Sequence, residues 1–269
     1  MQEENSKFYE DGQYDLAIDP DVLAEELAAE VEGDPLDEID LDTLDSDRVR
    51  VATECEMGLK WLQQGHEERL QGLRVFCEHR DPRALPLLIP LLSEPCPVER
   101  MSAVYALGRN PSPSAVKILL ELLQTDGNAY VRKAAAWSLG NYSNAPVMEP
   151  LVKALRNDVA AVRLWAASSL AEVGSNASVD ANVIAPELLL SLQIDQEPIV
   201  RSNCIWALGR LYDFLSEELK NELVDLFISI LLNDLEPSVR YECKISLEQI
   251  DNPLVQDRLK SLVDQGFLT

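Results

Sequence analysis

Between residues 68 and 248 small and large apolar residues return on a regular beat, each time just after an arginine. The stretches are "ERLQGLRVFC" (68–77), "ERMSAVYALG" (99–108), "VRKAAAWSLG" (131–140), "VRLWAASSLA" (162–171), "VRSNCIWALG" (200–209) and "VRYECKISLE" (239–248). Their arginines, Arg69, Arg100, Arg132, Arg163, Arg201 and Arg240, stand 31, 32, 31, 38 and 39 residues apart. Three residues after the arginine the side chain is always small: Gly72, Ala103, Ala135, Ala166, Cys204 or Cys243. Seven after, it is always large and apolar: Phe76, Leu107, Leu139, Leu170, Leu208 or Leu247. Positions four apart share one helix face, so each stretch predicts a helix with a seam that another helix can approach closely. Leucine-rich runs lie between, such as "PRALPLLIPLL", "PSAVKILLELL", "NAPVMEPLVKAL", "VIAPELLLSL" and "LKNELVDLFISILL", and predict a second, outer helix per unit. Helix pairs at a near-fixed period predict a stacked array in which each unit buries its apolar face against the next. The expected fold is therefore all-α, a right-handed α-solenoid of about six helix pairs over 48–269, with 48–66 supplying the first outer helix.

Proline and acid positions refine this picture. Pro82 and Pro113 suit first helical turns, whereas Pro90 lies deeper and predicts a kink. The two longer spacings trace to inserts near 174–183 and 212–221, which predict longer turns between paired helices. An acidic residue precedes five of the arginines by five or six places: Glu94, Asp126, Asp158, Asp195 and Asp234. Such a residue can cap a helix N-terminus or pair with an arginine of a neighbouring repeat. The arginines read as a structural ladder.

Charge separates the two ends of the chain. The net charge is −24, of which residues 1–47 carry −17 and residues 48–269 only −7. Within this acidic tail, 19–33 predicts a short amphipathic helix and 36–45 alternates acid with aliphatic, the pattern of largely disordered segments that dock on partners. So acidic a chain has no basic stripe to release counterions, which excludes nucleic acid and anionic membranes and leaves a protein partner. "MQEENSKFYEDGQ" has neither the basic end nor the apolar run of a signal peptide, and "ALPLLIPLL" is too short to span a bilayer. The expected location is cytoplasmic, where Cys55, Cys77, Cys96, Cys204 and Cys243 would be free thiols.

Little catalytic chemistry is on offer. His66 and His79 are the only histidines, neither in a catalytic motif, and no Gly-rich phosphate loop occurs. The single His66-Glu67 pair is too little for a di-iron site, so no catalytic residue is assigned. No CxxC pair occurs either. Cys204 and Cys243 fill the small seam position, whereas Cys96, in a proline-flanked turn, is expected to be exposed. Cys96 and Cys204 are weak candidates for a metal site shared with a partner.

A different face carries the aromatics. Position five after the arginine is Arg74, Tyr105, Trp137, Ser168, Trp206 or Ile245. It lies two residues from both seam positions, roughly 160–200° around the helix. Two placements are open: a stripe on the concave surface of the array, or packing between adjacent inner helices. On the first, Tyr105, Trp137 and Trp206 line a groove, flanked by Trp165 and by Arg109, Asn141, Glu172 and Arg210 at position nine. Aromatics interleaved with arginine suit a protein ligand, or a flat ligand with carboxylates.

In "RDPRALPLLIPLL", "ERMSAVYALGRNPSPSAV", "YVRKAAAWSLGN" and "VRLWAASSLA" the chain resembles cyanobacterial HEAT-repeat proteins grouped with the phycobilin lyases, over about residues 67–250. The resemblance implies HEAT-like helix pairs and is closest to a branch whose partner is an A-type iron–sulfur assembly protein. It implies a non-catalytic adaptor with no cofactor of its own, beyond a cluster shared with that partner. The alternative it implies is a bilin lyase subunit or bilin chaperone acting on a phycobiliprotein, with Arg109 or Arg210 on the bilin propionates and Trp137 or Trp206 stacked on its rings.

Overall fold

The computed structural model describes residues 44–176 and 180–267. The tail helix expected over 19–33 and most of the 36–45 segment fall outside them. Among the described residues every regular element is helical. The pairs are α1 (Leu44–Trp61) with α2 (His66–Glu78), α3 (Leu85–Leu91) with α4 (Pro97–Arg109), and α5 (Val116–Thr125) with α6 (Ala129–Leu139). They continue as α7 (Met148–Asn157) with α8 (Ala160–Gly174), α9 (Ala181–Ile194) with α10 (Pro198–Leu211), and α11 (Glu217–Asn233) with α12 (Pro237–Gln249). A last helix, α13 (Pro253–Asp264), packs on α12. The even-numbered helices from α2 to α12 form an inner row in which each contacts the next, and each odd-numbered helix from α1 to α11 packs on its inner partner.

The seam places the inner row. All six small residues at position three and all six large ones at position seven are buried. Caps then set where the helices begin. Asn128 Oδ1 accepts the Tyr130 and Val131 amides at 2.9 and 3.3 Å, and Pro97, Pro198 and Pro237 occupy first turns where a missing N–H costs nothing.

The arginine ladder runs forward along the array. Arg100, Arg132, Arg163 and Arg201 each grip the aspartate of the following repeat with two hydrogen bonds of 2.7–3.0 Å: Asp126, Asp158, Asp195 and Asp234. The remaining guanidinium nitrogen returns to its own repeat, as Arg132 Nη1 does to the Asp126 carbonyl at 2.9 Å and Arg163 Nη1 to the Asp158 carbonyl at 2.8 Å. Each aspartate also accepts a nearby backbone amide, for example Asn128 N on Asp126 at 2.8 Å and Glu197 N on Asp195 at 3.0 Å. The pairing half of the expectation holds, whereas the helix N-caps are other residues, Asn128, Val159, Glu197 and Glu236, and the aspartates hold the turn just before them. The planar guanidinium fork suits such bidentate work.

Two local expectations are corrected. Pro90 does not kink a long helix: α3 stops at Leu91, and the next amides turn back on carbonyls three residues earlier, Leu92 N to Ile89 O and Ser93 N to Pro90 O, both at 3.2 Å. The added residues of the later repeats lengthen the helices rather than the turns, the inner ones (15 residues in α8 and 14 in α10, against 11 in α6) as well as the outer ones. α9 has 14 residues and α11 has 17, against 10 in α5 and in α7. Another helical turn buries more leucine and satisfies its own backbone, which a longer loop cannot do.

Candidate functional site on the inner row

Position five does face away from the seam, but its residues are not alike. Arg74 and Trp206 are exposed, while Tyr105, Trp137, Ser168 and Ile245 are half-buried. Trp137 lies against the preceding inner helix. A Cβ on Gly108 would overlap its ring, meeting Cε3 at 3.0 Å and Cη2 at 3.1 Å. Tyr105 of the same helix stacks beside it with ring centroids 5.3 Å apart and a tilt of 55°. Arg109 then covers the indole, its guanidinium carbon 5.6 Å from the ring centroid. The absent side chain at Gly108 is what lets α4 and α6 close over an indole. The second placement, packing between inner helices, therefore describes Trp137.

Trp206 is different. It is 36% exposed, and the preceding inner helix has Ala171, not glycine, at the place that Gly108 holds under Trp137. Arg210 stacks on its ring at 5.2 Å and pairs with Glu172 at 3.1 Å, both charged groups being close to half exposed. Between the two clusters lies α8, with half-buried Trp165 and Ser168. Ser168 Oγ accepts from Asn203 Nδ2 at 2.7 Å, and the same Nδ2 donates to the Leu164 carbonyl at 2.6 Å. Asn141 sits exposed just beyond the end of α6. Tyr105, Arg109, Trp137, Asn141, Trp165, Trp206 and Arg210 thus divide into a closed Tyr105–Trp137–Arg109 stack and an open Trp206–Arg210–Glu172 cluster, with Trp165 between and Asn141 at the edge. The Coulomb partner of Arg210 was visible in the sequence as an acid at position nine.

The thiols fall into two groups. Cys204 and Cys243 are fully buried at the seam, and burial pushes both thiols above their ordinary range. Cys77 donates to the Ser102 carbonyl at 3.5 Å, and burial pushes it up to about 12. Cys96 is half-buried rather than exposed, at the N-cap of α4. There it meets two residues that sequence reasoning set apart from it. His66, Cys96 and Glu99 bring one ligand atom each within 4.8 Å of one another. The sequence marks the place of Glu99, because Glu68 and Glu99 precede their arginines where Val131, Val162, Val200 and Val239 stand in later repeats, but only the structure shows that Glu68 is exposed and Glu99 buried.

Residues 64–140 and 116–181 match the family model for HEAT repeats. No curated protein matches the sequence. Among solved structures, the designed armadillo repeat protein YIII(Dq)4CqI is similar at 18% identity and a TM-score of 0.53, over 72% of this chain and 99% of that one. A computationally designed armadillo repeat protein for modular peptide recognition is similar at 19% identity and a TM-score of 0.50, over 72% and 99%. Kap121p bound to Pho4p is similar at 21% identity and a TM-score of 0.59, over 92% of this chain but only 29% of that one. No described helix is long and apolar enough to cross a membrane. By repeat match, helix pairing and structural likeness together, the described residues form an all-helical solenoid of HEAT-like repeats.

Proposed function

We propose that the chain is a non-catalytic scaffold that binds a protein segment along its inner row, with the open Trp206–Arg210–Glu172 cluster as the anchor. The observation that carries this reading is the partial exposure of Trp206 under an arginine that already has a counter-ion. An exposed aromatic with an oriented guanidinium is the composition of an interface hot spot. An armadillo repeat protein designed for modular peptide recognition and Kap121p bound to Pho4p have a similar fold, which supports the same use of it here. The partner in this reading is an A-type iron–sulfur assembly protein, taken from the family resemblance, and the cellular setting is the cytoplasm.

The test is calorimetric titration of that partner into the full chain, with Trp206→Ala and Arg210→Glu as variants. Stoichiometric binding weakened at least tenfold by each variant, about 1.4 kcal/mol, is expected. Trp137→Ala is a poor probe, because it also removes packing against Gly108. Binding unchanged in both variants would remove the anchor. A coloured complex formed with bilin alone, lost in Trp206→Ala, would replace the adaptor by the bilin-carrier alternative.

A further inference from the structure

The N-terminal ends of the first two inner helices, α2 and α4, carry a side-chain cluster that the later repeats do not share. In four later repeats the residue before the arginine is a valine with no exposed surface: Val131, Val162, Val200 and Val239. In the second repeat the same place holds Glu99, whose exposure is only 3%. A carboxylate where the fold otherwise buries valine is costly unless something repays its desolvation. Arg69 does so in part, at 3.2 Å, but it shares its guanidinium with Glu94 at 3.1 Å. The same oxygen, Glu99 Oε1, lies 3.1 Å from His66 Nδ1. Cys96, three residues before Glu99, brings its sulfur within 4.8 Å of both.

We propose that His66, Cys96 and Glu99 bind a divalent metal ion of the zinc class. One imidazole, one thiolate and one carboxylate form a borderline-soft donor set that favours Zn²⁺ over Mg²⁺ or Ca²⁺. Donors on a tetrahedral zinc ion stand about 3.3–3.8 Å apart, given bond lengths of about 2.0–2.3 Å. Closing the cluster therefore needs shifts of roughly 1 Å, which the His66 side chain, 56% exposed, can supply. On binding, the Cys96 thiol gives its proton to solvent, Glu99 turns its charge to the metal, and Arg69 stays on Glu94. The three ligands leave a fourth position on the solvent side, for water or for a donor from a bound protein. His66 opens α2, while Cys96 caps α4 and Glu99 lies in its first turn, so the ion ties the first helix pair to the second. This site does not depend on the inner-row reading.

The experiment uses the full chain, reduced and stripped with a chelator, and titrates in Co²⁺ as a spectroscopic substitute for zinc. One equivalent is expected to raise a thiolate-to-cobalt charge-transfer band with the strong visible bands of a four-coordinate ion, and Zn²⁺ should abolish both. Cys96→Ser should remove the charge-transfer band. Glu99→Val, which restores the residue used by the later repeats, should weaken Zn²⁺ binding at least tenfold in a chelator competition, with the helical circular dichroism intact. His66→Gln, at an exposed position, should weaken it as much. Saturation with cobalt and no thiolate band would overturn the proposal. So would Zn²⁺ affinity unchanged in Cys96→Ser and His66→Gln.

Discussion

Gly108 and Gly209 occupy the same place in two repeats, eight residues after the arginine, and alanine should have opposite effects at the two. Neither has a positive φ, so both backbones accept alanine without strain. In a helix the exchange of glycine for alanine stabilises by up to about 1 kcal/mol, less near a helix end. At Gly209 the new methyl meets only Ser246, with its hydroxyl at 3.5 Å and Cβ at 3.7 Å, which is ordinary contact. Gly209→Ala should therefore stabilise by about 0.5 kcal/mol. At Gly108 the methyl falls within the Trp137 ring, and that indole is held between Tyr105 and Arg109. Overpacking of this kind costs about 1–3 kcal/mol. Subtracting a propensity gain of about 0.5 kcal/mol leaves a net loss of about 0.5–2.5 kcal/mol, or a melting temperature lower by roughly 1–10 °C at about 2–4 °C per kcal/mol. Thermal denaturation followed by circular dichroism measures both variants. A double-mutant cycle isolates the cause, since in a Trp137→Ala background Gly108→Ala should become neutral or stabilising. Gly108→Ala melting at or above the parent temperature, or the same loss in both backgrounds, would refute the account of Trp137 as an inter-helix wedge.

The ladder and the thiols give two further tests. Asp195→Ala strips a half-buried guanidinium, Arg163, of its bidentate partner and should cost about 2–3 kcal/mol in urea unfolding; Asp225→Ala, which breaks the 2.7 Å but exposed pair with Arg258, should cost less than about 0.5 kcal/mol. At Asp234 burial pulls the carboxyl up, but hydrogen bonds from Arg201 and the Glu236 amide together with the nearby guanidinium charges outweigh it and hold the group below its ordinary value. A depressed folded value means stability that is complete above about pH 4 and lost as the pH falls through that folded value, so Asp234→Asn should flatten the pH profile of the melting temperature there. Alkylation of the metal-free folded chain at neutral pH, read by mass spectrometry, should modify half-buried Cys96 first and reach Cys204 and Cys243 only on unfolding. Equal rates at all three would contradict the burial of the seam.

Periodicity alone was enough for the fold. Small and large residues four apart define a helix seam whatever surrounds them, and all twelve of those side chains are buried as the pattern required. The arginine–acid spacing likewise announced a ladder, because a fork and a carboxylate recurring in step have few other uses. Tertiary structure decided what depends on neighbours distant in the chain. Which repeat's aspartate each arginine grips follows from the stacking direction, which a local pattern does not encode. Trp137 and Trp206 stand at one repeat position, yet one is wedged over Gly108 and the other left open, because the preceding helix offers glycine at that place to Trp137 and Ala171 to Trp206. His66 lies 33 residues before Glu99, and only the stacking of α2 on α4 brings them together. The sequence therefore determined the faces of each helix, through the 3.6-residue turn. The meeting of those faces, and with it the candidate metal cluster and the exposed anchor, was set by the close packing of one repeat on the next.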